Sequence, residues 1–270
     1  MTLNDAIKIL SDAGVESPAH DARELFIYAL SLDRSSIIDK SLDYPNPKLS
    51  ELIGRRALRE PLQYILGETG FFHEVYKVSP SVLIPRSDTE ILVDFAVKNI
   101  PCGETFLDLC TGSGCIAIST LKNTENTTAV AVDISEDALT IASENAECIG
   151  VSDRLSLLRL DVLTETIPDS EVYAVLSNPP YVTEQAYRSL SCEVQSEPQL
   201  ALVGGEDGMI FYKRILPMAI EVIKPGGFIA FEIGYDQGGK ITSLAKEHGL
   251  SCEIIKDYSA LDRVAVIRKK

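Results

Sequence analysis

The sequence predicts an α/β protein in which a small N-terminal helical bundle precedes a seven-stranded, mostly parallel sheet. Three observations lead to this prediction. From Glu104 onward, apolar runs alternate with helical patterns, which is typical of a parallel sheet covered on both faces. The last two strands are joined only by residues 259–262, too short for a helical crossover, so this pair must be antiparallel. Residues 1 to about 60 show only helical patterns.

Helix start signals divide the N-terminal region into several helices. Thr2 is expected to cap the first one. Ser17-Pro18 and Asn46-Pro47 each combine an N-cap residue with proline at the first helical position. A further short helix is predicted over residues 34–40. We expect these helices to form a separate domain, residues 1–68, that recognises or docks a substrate; a purely stabilising cap is the alternative.

A β-hairpin is expected to link the two domains. Residues 71–78 and 82–84 alternate in polarity on either side of a Ser-Pro-Ser break, which is typical of paired strands. The hairpin would occupy a linker at residues 69–85, and residues 86–270 would form the second domain.

A polar stretch, residues 86–90, follows the linker. Ser87 or Asp88 is expected to cap the helix that begins there. The same stretch could instead line the mouth of a pocket.

The second domain should contain a regular series of strands and helices. Strands are predicted at residues 104–110, 128–134, 155–161, 172–178, 226–233, 252–258 and 263–269, with helices notably at 135–149 and 208–223.

Composition and charge narrow the functional classes. The formal net charge of -15 argues against a protein that binds nucleic-acid phosphates, and it suits a basic partner or simple solubility. No apolar stretch is long enough to span a bilayer and no signal sequence is visible, so a cytoplasmic, membrane-free location is expected. The six cysteines and three histidines show no zinc-binding spacing, so we expect reduced, structural cysteines and no metal.

A glycine-rich turn marks a candidate cofactor site. The first strand of the second domain runs through Asp108 into Cys110-Thr111-Gly112-Ser113-Gly114, and a helix follows directly. Glycines at such a turn permit positive φ and let a ligand approach the backbone, while the helix N-terminus offers free N–H groups. Asp133 ends the next strand, where a carboxylate can accept hydrogen bonds from ribose hydroxyls.

The turn alone leaves two cofactors open, because it also meets the dinucleotide fingerprint. Asp108 ahead of the turn and the antiparallel final strand pair fit S-adenosylmethionine better. Asp161-Val162 would place a polar group and an apolar contact beside the adenine. A hydride-transfer enzyme would also need an acid or base near the substrate, which Asn178 and its neighbours cannot supply at neutral pH.

The tetrapeptide Asn178-Pro179-Pro180-Tyr181 is the candidate catalytic element. It follows an apolar strand, and each proline holds the residue before it extended. A planar NH2 group could donate one hydrogen to the side-chain oxygen of Asn178 and one to the carbonyl of Pro179, with its π face against Tyr181. Such a rim would aim the nitrogen at an electrophile.

These motifs together resemble the protein-glutamine methyltransferases that modify bacterial peptide chain release factors. The resemblance covers nearly the whole chain and rests on residues 85–90, 108–114, 133, 177–181, 197–202, 204–208 and 261–264. It implies a Rossmann-like class I S-adenosylmethionine-dependent methyltransferase domain. The implied reaction transfers a methyl group to the glutamine of the Gly-Gly-Gln loop of class one release factors, and we expect a monomer.

The resemblance also implies roles for individual residues. Asn178, Pro179, Pro180 and Tyr181 would bind the glutamine amide and perform catalysis. The implied cofactor-binding residues are Cys110, Thr111, Gly112, Ser113, Gly114, Asp133, Val162 and Asn178. Cys110 stands where the family usually has glycine, and we expect a side chain there only if φ is negative.

Several other functions remain alternatives. An adenine amino-methyltransferase acting on DNA or RNA could use the same rim, but it would need a basic face and a target-recognition domain. A glutamine methyltransferase acting on a ribosomal protein is closer, and residues 85–90 favour the release-factor enzyme. A NAD-dependent oxidoreductase and an inactive binding scaffold are the remaining alternatives.

Overall fold

The computed structural model describes residues 1–33, 35–36, 38–167 and 171–268. Backbone contacts divide the chain into two compact units. The smaller unit contains Met1–Glu68 together with Ser191–Ser196, and the larger unit contains Thr69–Leu190 and Glu197–Lys270. The smaller unit is therefore built from two separate stretches of the sequence.

The smaller unit is helical, as predicted. Its helices are α1 (Leu3–Asp12), α2 (Pro18–Leu30), α3 (Pro47–Ala57) and α4 (Leu62–Leu66). Thr2 and Asp5 form a reciprocal capping box that starts α1. The side chain of Asn46 accepts a hydrogen bond from the N–H of Lys48 at 2.9 Å and starts α3. Ser17 occupies the N-cap position of α2 without a side-chain capping bond.

These helices enclose a core of their own. Apolar residues at helical spacing turn inward and are fully or almost fully buried, as in Leu10, Leu25, Phe26, Leu49 and Ile53. The prediction of a short helix over residues 34–40 is wrong, because residues 35, 36 and 38–40 are not helical. Arg34 and Ile37 lie outside the described residues. Asp39 accepts hydrogen bonds from the N–H and the hydroxyl of Ser41, a local turn that competes with helix formation.

A cluster of charges joins the second stretch of the smaller unit to the first. Arg56 donates to Asp21 at 2.8 Å and to Glu193 at 3.0 Å. Arg59 donates to both carboxylate oxygens of Glu193, each at 2.6 Å. The Arg59 hydrogen bonds lower the pKa of Glu193 to about 2. Glu193 lies on the short helix α9 (Cys192–Gln195), which is thereby anchored in the helical unit.

The larger unit begins with a hairpin, but its position differs from the prediction. Its strands are β1 (Glu68–Phe71) and β2 (Glu74–Lys77), and residues 82–84 are not a strand. Phe72 and His73 form the two-residue connection with φ of 44° and 73°. Positive φ at both positions matches the twist of a hairpin, so the turn falls here instead of at Ser79–Ser81.

The beginning of the next helix also differs from the prediction. Neither Ser87 nor Asp88 caps α5 (Glu90–Asn99), because a short 3-10 turn, Ser87–Thr89, precedes it. Glu90 accepts a hydrogen bond from the N–H of Phe72 at 3.0 Å and so supports the hairpin turn.

All seven predicted strands are present and form one sheet with the order β5-β4-β3-β6-β7-β9-β8. The strands are β3 (Thr105–Leu109), β4 (Thr128–Asp133), β5 (Leu155–Arg159), β6 (Val172–Ser177), β7 (Ile223–Glu232), β8 (Ser251–Lys256) and β9 (Asp262–Arg268). Strand β9 pairs antiparallel with both neighbours, and the other pairs are parallel. The chain order reverses between β3 and β6, which is where open α/β sheets hold their ligands.

Helices cover both faces of this sheet. They are α5, α6 (Cys115–Lys122), α7 (Glu136–Ile149), α10 (Ile210–Val222) and α11 (Gly238–Glu247), whereas the short helix α8 (Glu184–Tyr187) buries none of its residues. Residues such as Leu107 pack with α10 and α11, whereas their neighbours such as Phe106 pack with α5, α6 and α7. Within the described residues, no helix has the length and apolar character that crossing a bilayer requires.

One buried side chain connects the hairpin, α7 and the glycine-rich turn. Asn145 accepts a hydrogen bond from the N–H of Lys77 at 2.7 Å and donates to the Lys77 carbonyl at 3.1 Å. It also donates to the carbonyl of Ser113 at 2.9 Å. Because Asn145 is only 1% exposed, water cannot replace these bonds.

We therefore expect Asn145→Ala to lower the free energy of unfolding by about 2–3 kcal/mol, because it leaves buried backbone groups unpaired. Urea unfolding followed by circular dichroism measures the effect. Asn4→Ala is the matched control, since Asn4 is an exposed helical asparagine and its loss should change stability by less than about 0.5 kcal/mol. Equal stability of the two variants would contradict this account.

Candidate active site

The glycine-rich turn is attached to the end of β4. It connects β3 to α6, and the N–H of Thr111 donates to the carbonyl of Val132 at 3.0 Å. The N–H of Gly112 donates to Asp133 Oδ2 at 2.8 Å. The other oxygen of Asp133 accepts from the N–H of Ser135 at 3.0 Å. Burial raises the pKa of Asp133, and these bonds fix its carboxylate beside the turn.

Gly112 and Gly114 are required for different reasons. Both have positive φ, 56° and 81°. A Cβ on Gly114 would lie 2.7 Å from Ile118 Cδ1 and 3.1 Å from Ala142 Cβ, so this glycine permits close packing of α6 and α7. A Cβ on Gly112 would meet nothing within 4 Å. Gly112 thus faces open space, where a ligand can approach the backbone.

The backbone at Cys110 contradicts the expectation from the sequence. We expected negative φ, but φ is 61°. The left-handed region costs a non-glycine residue about 1–2 kcal/mol. The turn adopts it nevertheless because the flanking residues fix its geometry. Burial raises the pKa of the Cys110 thiol, which keeps it protonated at neutral pH.

Asp108 is hydrogen-bonded both to the glycine-rich turn and to α6. Its Oδ2 accepts a hydrogen bond from the Thr111 hydroxyl at 2.6 Å and another from the N–H of Ala117 at 3.1 Å. Burial raises the pKa of Asp108 to about 7. Asp108 Oδ1 is buried and has no partner among the described residues. Its observed bonds fix the turn to α6.

The rim tetrapeptide follows β6 next to this turn. Leu109 and Ser177 are paired residues at the ends of β3 and β6, so Cys110 and Asn178 leave the sheet side by side. Pro179 and Pro180 are buried. Neither Asn178 Oδ1 nor the carbonyl of Pro179 accepts a hydrogen bond from any described residue. Both acceptors are therefore unpaired within the described part of the chain, and of the two residues Asn178 lines the cavity.

The other side of Asn178 is hydrogen-bonded. Its Nδ2 donates to Thr89 Oγ1 at 3.4 Å, and the Thr89 hydroxyl donates to Glu232 Oε2 at 2.6 Å. Both Thr89 and Glu232 are 2% exposed. The polar stretch at residues 86–90 thus supplies a residue behind the rim.

Glycines support the rim from the back. A Cβ on Gly204 would lie 2.4 Å from the carbonyl oxygen of Pro180, and one on Gly208 would lie 2.4 Å from that of Tyr181. Gln237 donates to both the Tyr181 and Gly208 carbonyls, at 3.3 Å and 3.2 Å. The rim backbone is therefore enclosed at close distance.

One cavity of about 510 Å³ brings most of the predicted site residues together. Those that line it are Cys110, Thr111, Gly112, Ser113, Asp133, Val162, Asn178 and Pro180. Three do not line it: Gly114, Pro179 and Tyr181. Gly114 faces α7 instead, and the partly buried Tyr181 packs against the apolar core.

The cavity includes residues beyond the predicted catalytic and cofactor-binding residues, and for residues 86–90 lining a pocket was the alternative prediction. Among them are Arg86, Thr89, Leu160, Pro198 and Phe211. Arg86 forms an ion pair with the buried Glu197, which also accepts from the N–H of Ile84 at 3.0 Å. The polar stretch at residues 86–90 was the visible signal for Arg86 and Thr89. Phe211, deep in a helical pattern, had none.

The cavity fits S-adenosylmethionine. Asp133 offers carboxylate oxygens suited to ribose hydroxyls, and Leu160 and Val162 offer an apolar surface suited to adenine. The open space at Gly112 permits approach to the turn. In the described residues there is no group of three or more His, Cys, Asp or Glu that could hold a metal.

The sheet order, the antiparallel strand β9 between β7 and β8 and this cavity define a class I S-adenosylmethionine-dependent methyltransferase. Residues 87–205 match the methyltransferase small domain family, and residues 2–67 match the PrmC N-terminal domain. A crystal structure of ribosomal protein L11 methylase from Lactobacillus delbrueckii subsp. bulgaricus has a TM-score of 0.53 at 20% identity, over 73% of this chain and 86% of that chain. This likeness shows the fold alone.

Curated relatives define the family. The release factor glutamine methyltransferase of Moorella thermoacetica is 38% identical over 269 residues, covering 97% of this chain and 95% of the relative. The enzyme of the same name from Caulobacter vibrioides is 37% identical over 265 residues, with coverage of 95% and 91%. The chain belongs to the release factor glutamine methyltransferase family.

The positive φ of Cys110 leads to a prediction about stability. We expect Cys110→Gly to be more stable than Cys110→Ala by about 1 kcal/mol, because both remove the thiol but only glycine accepts this φ without strain. The midpoints of urea unfolding for the two variants measure the difference. An alanine variant as stable as the glycine variant would show that the strain is absent.

Proposed function

We propose that this chain methylates the side-chain amide nitrogen of the glutamine in the Gly-Gly-Gln loop of class one peptide chain release factors, with S-adenosylmethionine as donor. The observation that carries the proposal is the pair of free acceptors on the rim, Asn178 Oδ1 and the Pro179 carbonyl. A primary amide has two hydrogens on one nitrogen and matches such a pair. The names of the curated relatives support the same substrate.

The cofactor would occupy the cavity between the turn and the rim. Cys110, Thr111, Gly112 and Ser113 would hold its methionine part, Asp133 its ribose and Val162 its adenine. When bound, it supplies a sulfonium methyl group as the electrophile. Gly114 contributes indirectly, by letting α6 and α7 pack closely behind the turn.

Positioning of the acceptor nitrogen accounts for most of the expected catalysis. An amide nitrogen is a poor nucleophile because its lone pair is delocalised into the carbonyl. Asn178 and Pro179 would accept both amide hydrogens and turn the lone pair toward the methyl carbon for in-line displacement. The same bonds would stabilise positive charge that develops on the nitrogen.

The displacement needs no assigned general base. The N–C bond forms as the C–S bond breaks, and the nitrogen then carries one proton too many. The N-protonated amide cation formed in this way is strongly acidic, so it loses its surplus proton to water and leaves the neutral N-methyl amide.

The helical unit would supply recognition of the release factor. We propose residues 1–68 as the recognition domain, residues 69–85 as the linker and residues 86–270 as the catalytic domain. The net charge of -15 favours a basic protein surface as partner and disfavours direct contact with nucleic acid.

Mass spectrometry of the substrate tests the proposed function. Purified release factor is incubated with the enzyme and S-adenosylmethionine, and we expect a gain of one methyl group on the glutamine of the Gly-Gly-Gln loop. A release factor in which this glutamine is replaced by alanine serves as the control. Unmodified release factor together with methylated DNA would support the adenine alternative instead.

We expect Asn178→Ala to keep its affinity for S-adenosylmethionine and to lose turnover. Removing one transition-state hydrogen bond costs about 2–4 kcal/mol, which corresponds to a fall in kcat of roughly 30- to 1,000-fold. Steady-state kinetics and calorimetric titration of the cofactor measure the two properties. Turnover equal to that of the unmodified enzyme would rule out the proposed role of Asn178.

A further inference from the structure

Three side chains form a hydrogen-bonded relay behind the rim. Asn178 Nδ2 donates to Thr89 Oγ1, and Thr89 Oγ1 donates to Glu232 Oε2. The Thr89 hydroxyl is the one described donor to the Glu232 carboxylate. Asn178 and Thr89 line the cavity, whereas Glu232 does not. The relay therefore leads from the cavity to a buried acid with no direct access to a ligand.

The chemistry of the three groups gives this relay a direction. An ionised carboxylate can only accept hydrogen bonds, and a hydroxyl has a single hydrogen to donate. Glu232 therefore takes the hydrogen of Thr89. Thr89 can then offer Asn178 only a lone pair. Asn178 must turn its NH2 group toward Thr89, and its oxygen must then point away from Thr89.

We propose that Glu232 acts through Thr89 as a positioning residue that fixes the orientation of the Asn178 amide. The proposal rests on the proposed function, in which the Asn178 oxygen accepts a hydrogen from the substrate amide. In the flipped orientation the NH2 group of Asn178 would face the NH2 group of the substrate. Two donors cannot pair, so the flipped form would be unproductive.

The charge on Glu232 matters more than its shape. A buried carboxylate is costly unless it is paired, and a glutamine could bond to Thr89 without that cost. However, a glutamine side chain carries both a donor and an acceptor, so it would permit Thr89 to bond in either direction. Only the carboxylate enforces one direction.

Several charged groups surround Glu232 and influence its titration. Burial raises the pKa of Glu232 to about 7, while the Thr89 hydrogen bond and the nearby guanidinium groups of Arg263 and Arg86 act in the opposite direction. The carboxylate of Asp88 raises the pKa further. Arg263 is itself paired with Asp88 at 3.2 Å and with Asp257 at 3.1 Å.

The sign of the pH dependence follows from this pKa. Above about pH 7, Glu232 is ionised and the relay has one direction. As the pH falls through this value, Glu232 gains a proton and can donate to Thr89. The Thr89 hydrogen is then free to turn toward Asn178, and the productive orientation is no longer enforced. We therefore expect kcat to decrease as the pH falls through about 7.

The test compares kcat as a function of pH in the full-length enzyme with release factor as substrate. We expect Glu232→Gln to lower kcat by about 10-fold at pH 8, with an unchanged KM for S-adenosylmethionine, and to show a smaller acidic decrease near pH 7 than the wild type. Thr89→Val should behave in the same way, and Thr89→Ser should restore most of the activity lost in Thr89→Val.

The double variant with Glu232→Gln and Thr89→Val should be no slower than the slower single variant, since both break the same relay. Because Asp108 also has a pKa of about 7, some acidic decrease remains in every variant, and a decrease as large in Glu232→Gln as in the wild type would overturn the proposal. Losses that multiply in the double variant would overturn it as well.

A measurement on the protein without ligands keeps the test independent of turnover. Carbon-13 NMR should show that Glu232 titrates near pH 7 and that Thr89→Val moves its pKa upward, because the hydrogen bond that lowers it is lost. A pKa of Glu232 near the ordinary value of 4.5, or one that is unchanged in Thr89→Val, would refute the relay. If the wild-type enzyme instead leaves release factor unmodified at every pH, the proposed function fails while this titration still decides the Glu232–Thr89 coupling.

Discussion

The pairing of β3 with β6 is the constraint on which the active site depends. Ser177 Oγ donates to the carbonyl of Leu109 at 2.6 Å, and both residues are fully buried at the ends of their strands. This bond locks the register at the point where the glycine-rich turn and the rim leave the sheet. A slip by one residue would turn every side chain to the opposite face and separate Cys110 from Asn178.

Two buried acids stabilise the two halves of this site in a similar way. Asp108 accepts the hydroxyl hydrogen of Thr111 behind the turn, and Glu232 accepts that of Thr89 behind the rim. Burial raises the pKa of each to about 7. In both cases a threonine lies between the acid and the cavity. The site therefore contains directional hydrogen bonds, while the carboxylate itself does not contact the ligand.

Local patterns in the sequence were sufficient to predict all seven strands, the helix starts at Thr2 and Asn46, and site residues of which most line the cavity. These features depend on neighbouring residues and on the alternation of apolar positions. The predicted position of the hairpin turn was wrong because Phe72 and His73 adopt positive φ although neither is glycine, the residue that usually marks such a turn. The Thr89–Glu232 bond joins residues 143 positions apart, and no local pattern indicates such a pair.

The helical unit is discontinuous in sequence, since α9 returns to it through Glu193. A gene fragment encoding only the first 68 residues would fold without this carboxylate and leave Arg56 and Arg59 with fewer partners. A synthetic peptide spanning Ser191–Ser196 could restore them in trans. An isolated N-terminal domain would therefore have to include this hexapeptide to keep all of its ion pairs.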